Sequence, residues 1–118
     1  CVQRPRPPFT VGGRGVRRTM PLAVRHADQW NVPPVPLEQF REKARALEAC
    51  CAELGRDRAD ISLSTPIRII AGRGLDDLGR QIDELATAGA DLVVALFSDP
   101  SVPPRWIERV AAIAERYA

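Results

Sequence analysis

Apolar and polar positions divide the chain into short runs and helical stripes. Phe9-Thr10-Val11 is a short run that ends in Gly12-Gly13-Arg14-Gly15, the signature of a strand entering a tight turn. A helix is expected next, with Thr19 as its N-cap and Pro21 in the first turn, where a missing N–H costs little. It runs to about Ala27, with Leu22, Ala23 and Ala27 facing inward. Asp28 to Val32 forms a second strand, and Pro33, Pro34 and Pro36 make a stiff loop. Leu37, Phe40, Ala44, Leu47, Cys51 and Leu54 recur in steps of three and four, one face of an amphipathic helix that stops at Gly55.

The second half repeats this alternation. Ile61 to Ile70 reads as a strand, with a bulge or an end expected at Pro66, because proline removes a ladder donor. Gly72 and Gly74 turn the chain. Leu75, Leu78, Ile82, Leu85 and Ala86 then follow helical spacing up to Gly89. Leu92 to Phe97 is unbroken apolar sequence, as expected of a parallel strand covered on both faces. Ser98 to Ser101 turns the chain, with Ser101 as a cap. The last helix carries Trp106, Ile107, Val110, Ala114 and Tyr117.

Strand and helix thus alternate four times, which implies parallel strands joined by right-handed crossovers. Four such units make a small open sheet or half of an eight-fold barrel. A complete barrel takes about 250 residues, and this chain has 118. Residues 1–8 (CVQRPRPP) read as an extended Pro/Arg-rich linker ahead of a single domain over residues 9–118.

Composition narrows the function classes. Apolar residues make up 45% and charged residues 27%, a globular balance. No apolar run reaches the roughly 20 residues needed to span a bilayer, and no leader pattern marks secretion. Cys1, Cys50 and Cys51 are an odd set with no CxxC spacing, so a reduced, cytoplasmic setting is expected. Cys51 is expected to be a buried small hydrophobe. A net charge of +2 does not by itself imply a nucleic-acid partner. Of 17 basic residues only Lys43 is lysine.

The candidate chemistry lies near the start. In Gly12, Gly13, Arg14 and Gly15, glycines let the backbone approach a ligand closely. The helix behind them offers free N–H groups and a positive dipole end to an anion. Arg14, Arg17 and Arg18 add charge and Thr19 a hydroxyl. A plain βα turn with exposed arginines explains the same residues, and the segment alone leaves both readings open. A P-loop is absent, and the dinucleotide fingerprint fails because Arg18 stands where its third glycine belongs. Trp30 and Asn31 end the second strand. In a barrel that position lines the active site, where a tryptophan packs on a flat ring and an asparagine bonds a polar edge; from the residues alone, core packing is the simpler reading of Trp30. His26, the sole histidine, reads as a surface residue near a helix end, and Asp76, Asp77, Asp83 and Glu84 as solvated helix charges.

The stretch RPRPPFTVGGRGVRRTMPLAVRHADQWNV resembles the opening of the C-terminal half of bacterial luciferase-like monooxygenases. The shared pattern is a proline-led strand from Pro8 to Gly13, an Arg18-Thr19 helix start and an Ala27-Asp28-Gln29-Trp30-Asn31 strand. CAELGRDRADISLS and AGADLVVALFSDP resemble later parts of that half. One departure is Gln29, where the family often has glycine. The resemblance implies a TIM-barrel-type α/β half barrel and a flavin-type cofactor, either FMN or coenzyme F-420. It implies hydride transfer or flavin–oxygen chemistry on a small-molecule substrate. It places Gly12, Gly13, Arg14, Gly15, Arg18 and Thr19 at the cofactor phosphate, and Trp30 and Asn31 near the ring. The strands that would complete the barrel are expected elsewhere, so the chain alone is expected to be inactive and to self-associate or pair with the missing half. The alternative is a non-enzymatic anion- or nucleic-acid-binding module, disfavoured by an aromatic content of 5%.

Overall fold

The computed structural model describes Val2, Arg4 and residues 6–118. Cys1, Gln3 and Pro5, and with them part of the expected linker, lie outside the described residues. Arg6 is held in place: its guanidinium pairs with Asp28 at 2.6 Å, and the same carboxylate accepts from the Phe9 amide at 2.6 Å.

Among the described residues four strands alternate with four helices. They are β1 (Thr10–Gly12), α1 (Thr19–His26), β2 (Gln29–Asn31), α2 (Leu37–Leu54), β3 (Ser62–Ile69), α3 (Leu78–Thr87), β4 (Leu92–Phe97) and α4 (Trp106–Ala114). The strands form one sheet in the order β1-β2-β3-β4, every neighbour parallel. Each crossover carries one helix and the order never reverses, so the sheet is a partial barrel rather than a doubly wound sheet. Among the described residues no helix is long and apolar enough to cross a membrane.

Register assigns the two faces. Val11, Trp30 and Leu63 share a row that meets the helices, whereas Gly12, Asn31 and Ser64 share the next row on the opposite, barrel-interior face. One core packs α1 and α2 on β1–β3 around Trp30, Phe40, Leu47 and Leu63. A second packs α3 and α4 on the far part of the sheet around Ile67, Ile69, Leu75 and Leu78. Cys51 is buried as expected, and Cys50 is buried too. Gly55 ends α2 in the left-handed region at φ 69°, where glycine has no Cβ to clash.

Several local expectations are corrected. Thr19 is the first residue of α1 rather than its cap; Arg18 precedes the helix and makes no side-chain cap bond. The Thr19 side chain is committed instead to the glycine loop. Leu22 is 52% exposed, and the inward stripe is Met20, Ala23, Val24 and Ala27, whose i, i+3, i+4, i+7 spacing keeps one helical face. Pro66 causes neither bulge nor end: β3 pairs with β4 without a break from Ser64 to Ile69. Ser62 donates to Asp28 and Ser64 accepts from Val32, so even-numbered residues of β3 turn their backbone groups toward β2. β2 ends at Asn31, opposite Ser64, so the donor that Pro66 lacks would have had no partner strand. Ser101 caps no helix. Pro103 and Pro104 disfavour helical backbone before them, and α4 starts only at Trp106, whose amide bonds Pro103. Finally, β4 is not covered on both faces: Leu92 is 46% exposed, Val94 39% and Leu96 40%. Among the described residues it is an edge strand with no sheet opposite its interior face.

Candidate functional site

The glycine loop leaves the carboxyl end of β1, the end at which barrels carry their ligand sites. Three successive carbonyls, those of Gly13, Arg14 and Gly15, are engaged. Trp30 Nε1 donates to the Gly13 carbonyl at 2.9 Å, Lys43 Nζ to that of Arg14 at 2.6 Å, and the Met20 amide to that of Gly15 at 2.9 Å. The Gly13 amide in turn donates to the Asn31 carbonyl at 3.0 Å, which fixes the loop to the end of β2. Among the described residues, no acceptor bonds the amides of Arg14, Gly15, Val16, Arg17 or Arg18. A run of free N–H groups, with the carbonyls from Gly13 to Gly15 tied back behind it, leading into the positive end of α1, has the polarity of an anion-binding nest.

Packing explains the glycines. Gly13 adopts φ +143°, and a Cβ there would lie 2.9 Å from Thr19 Cγ2. A Cβ on Gly15 would lie 3.2 Å from Thr19 Oγ1. Thr19 therefore fills the space that side chains would need, and the loop closes on it. A Cβ on Gly12 would meet nothing within 4 Å, since that residue faces the open interior side. Arg14, Arg17 and Arg18 are exposed and form no ion pair among the described residues.

The two ring-side candidates part company. Asn31 stands on the interior face, half-buried, and its Nδ2 donates to Ser64 Oγ at 2.8 Å. Trp30 is wholly buried on the helical side, so it has no free face for a ring to stack on. Its contribution to the site is the indole N–H that holds Gly13. The structure thus gathers Gly12, Gly13, Arg14, Gly15, Arg18, Thr19 and Asn31 at one rim and puts Trp30 behind them. His26 is exposed near the end of α1, as read from the sequence.

Sequence reasoning missed a polar row beside Asn31. Ser64 Oγ also accepts from Gln29 Nε2, and Gln29 Oε1 accepts from Thr10 Oγ1 at 3.2 Å. Gln29, where the family resemblance leads one to expect glycine, is thus used to cross-link β1, β2 and β3 on the interior face. The Ser62-Leu63-Ser64 alternation was the available signal. Lys43 was missed as well: it stood out only as the sole lysine, and nothing in the neighbouring sequence points it at the glycine loop.

The rest of the rim is ordered by Asp99, which follows β4. Its carboxylate accepts from the Ala71 amide at 2.9 Å and the Ser101 amide at 2.8 Å, tying the loop after β3 to the loop after β4. These bonds, the one from Ala71 first, hold its pKa below the usual carboxylate value. Cys50 and Cys51 take the opposite course: burial pushes both thiols up, away from the thiolate a nucleophile requires. No metal-binding cluster occurs among the described residues.

Relatives agree with this architecture. Coenzyme F-420-dependent tetrahydromethanopterin reductase from Methanopyrus kandleri superposes with a TM-score of 0.62 at 15% identity. The match covers 80% of this chain and 46% of the reductase, so the chain spans about half the length of that barrel enzyme; at this identity the likeness is one of fold. No curated protein matches the chain. The family model for luciferase-like monooxygenase matches residues 1–118. With strand order, register and sequence family in agreement, this chain is a partial (β/α) barrel belonging to the luciferase-like monooxygenase family.

Proposed function

We propose that the chain is the C-terminal half of a flavin- or F-420-dependent oxidoreductase and that it holds the phosphate end of the cofactor. The observation that carries this reading is the loop from Gly13 to Arg18, with the Gly13, Arg14 and Gly15 carbonyls bonded behind it and the Arg14 to Arg18 amides free at the carboxyl end of β1. An anionic phosphate suits those amides, the start of α1 and the unpaired Arg14 and Arg18. Bound FMN or F-420 would supply hydride transfer or oxygen activation; the protein's share is to bind and orient it.

This chain's residues divide that share. Gly13 and Gly15 let the loop close on Thr19, so the amides are fixed before a ligand arrives. Gly12, bare on the interior side, leaves room for the cofactor to pass toward the barrel centre. Asn31 points its amide into the interior, held by Ser64, and offers its carbonyl oxygen to a polar ring edge. The substrate is a small molecule taken up between this half and the strands that close the barrel. The protein acts in the cytoplasm, as an oligomer or paired with the complementary half, and without nucleic acid.

The test is cofactor binding by the full-length polypeptide that carries these residues. Titration with FMN and with F-420 should show saturable binding of one of them, weaker for the phosphate-free counterpart. Binding of neither overturns the proposal.

A further inference from the structure

Each of the three loop carbonyls has a donor of a different kind. Gly13 takes a neutral indole, Gly15 a backbone amide, and Arg14 the ammonium group of Lys43. The third is out of keeping with the chain. Every other basic residue is arginine, and this one lysine reaches from the middle of α2 across to the loop at 2.6 Å. Its helix is firmly placed, since Phe40, Ala44 and Leu47, which flank Lys43 on the helix, are buried in the core. The ammonium group is therefore delivered to the loop by a rigid element. Among the described residues it forms no ion pair, so its charge is not neutralised there.

We infer that Lys43 is a positioning residue for the anion site, an inference that rests on the cofactor reading above. By holding the Arg14 carbonyl down onto α2, Lys43 turns the Gly15 amide of the same planar peptide outward, to the side the anion occupies. A peptide free to flip would instead present a carbonyl oxygen there and repel it. The ammonium also leaves a positive charge directly behind the nest. Both effects act on the phosphate and neither on the ring, so the residue determines preference for phosphorylated over unphosphorylated cofactor.

The experiment compares FMN with riboflavin, and F-420 with its phosphate-free deazaflavin core, on wild type, Lys43→Met and Lys43→Arg of the full-length polypeptide. Lys43→Met should weaken binding of the phosphorylated form roughly tenfold, the usual scale for one charge-assisted hydrogen bond. It should leave the phosphate-free form unchanged, and Lys43→Arg should restore much of the loss. If wild type discriminates but Lys43→Met discriminates equally well, the inference is overturned while the cofactor reading stands. An equal loss for both forms, with a lowered melting temperature, overturns it too, by assigning Lys43 a purely structural role. Wild type that binds neither cofactor overturns the underlying reading and this inference with it.

Discussion

Thr19 and Gly13 are matched in shape, and the match sets the conformation of the whole loop. A methyl group on Gly13 would have to share space with Thr19 Cγ2 and adopt a backbone angle that side chains disfavour. Gly13→Ala should therefore lower stability by about 1–3 kcal/mol and weaken cofactor binding. Denaturant unfolding alongside flavin titration checks this, and an unchanged midpoint would refute it. Trp30 offers a finer probe. Trp30→Phe keeps most of the core volume but leaves the Gly13 carbonyl without its indole donor. The expected loss is about 1–2 kcal/mol, with weaker binding of FMN than the stability change alone explains. Equal behaviour of wild type and variant toward FMN would remove Trp30 from the site altogether.

Among the elements, α1 carries the site at its start and is anchored at its end. Arg56 donates to the Val24 carbonyl at 2.7 Å and to the Asp60 backbone carbonyl at 2.6 Å, so it joins the C-terminus of α1 to the turn before β3. Arg56→Met strips that anchor and should cost about 1–2 kcal/mol. Hydrogen exchange should then quicken in α1 before α2; uniform exchange across both would show that Arg56 has no local role. The loops after β3 and β4 depend on Asp99 in the same way. Its folded-state pKa lies below the unfolded value, so its contribution is complete above the ordinary carboxylate range, about pH 4. It is lost as the pH falls through the depressed folded value. The amide signals of Ala71 and Ser101 should shift together in that acid window, and in Asp99→Ala the shift should vanish. A transition at the ordinary Asp value would contradict the clamp.

At the scale of the molecule, the described residues give the sheet two free edges and an interior face with no second layer over it. On that face Leu92, Val94 and Leu96 expose apolar surface beside the polar row of Gln29, Asn31 and Ser64. Exposed strand edges and apolar patches of this kind invite association. The 118-residue chain by itself should therefore form concentration-dependent oligomers, and Val94→Lys on the open face should reduce them. Sedimentation velocity decides: a monodisperse monomer over a wide concentration range would sink the expectation.

The alternation of strands and helices was legible in the chain because each element announces itself locally. The 3.6-residue stripe from Leu37 to Leu54, the glycine that ends it and the apolar run from Leu92 to Phe97 depend only on near neighbours. The glycine turn was legible for the same reason. What the sequence left open were relations between elements. Trp30 reads more simply as core than as ring-stacking surface, but the choice is settled only when the register puts it in line with Val11 and Leu63 on the helical side. Pro66 looks like a strand breaker until β2 proves too short to reach it. Lys43 is one charge on a polar helix face until α2 packs and brings it to Arg14. Periodicity fixes which residues form a face, because side-chain direction follows from backbone geometry. Only tertiary packing decides what that face meets, because the partner lies far along the chain and the choice depends on strand length and register.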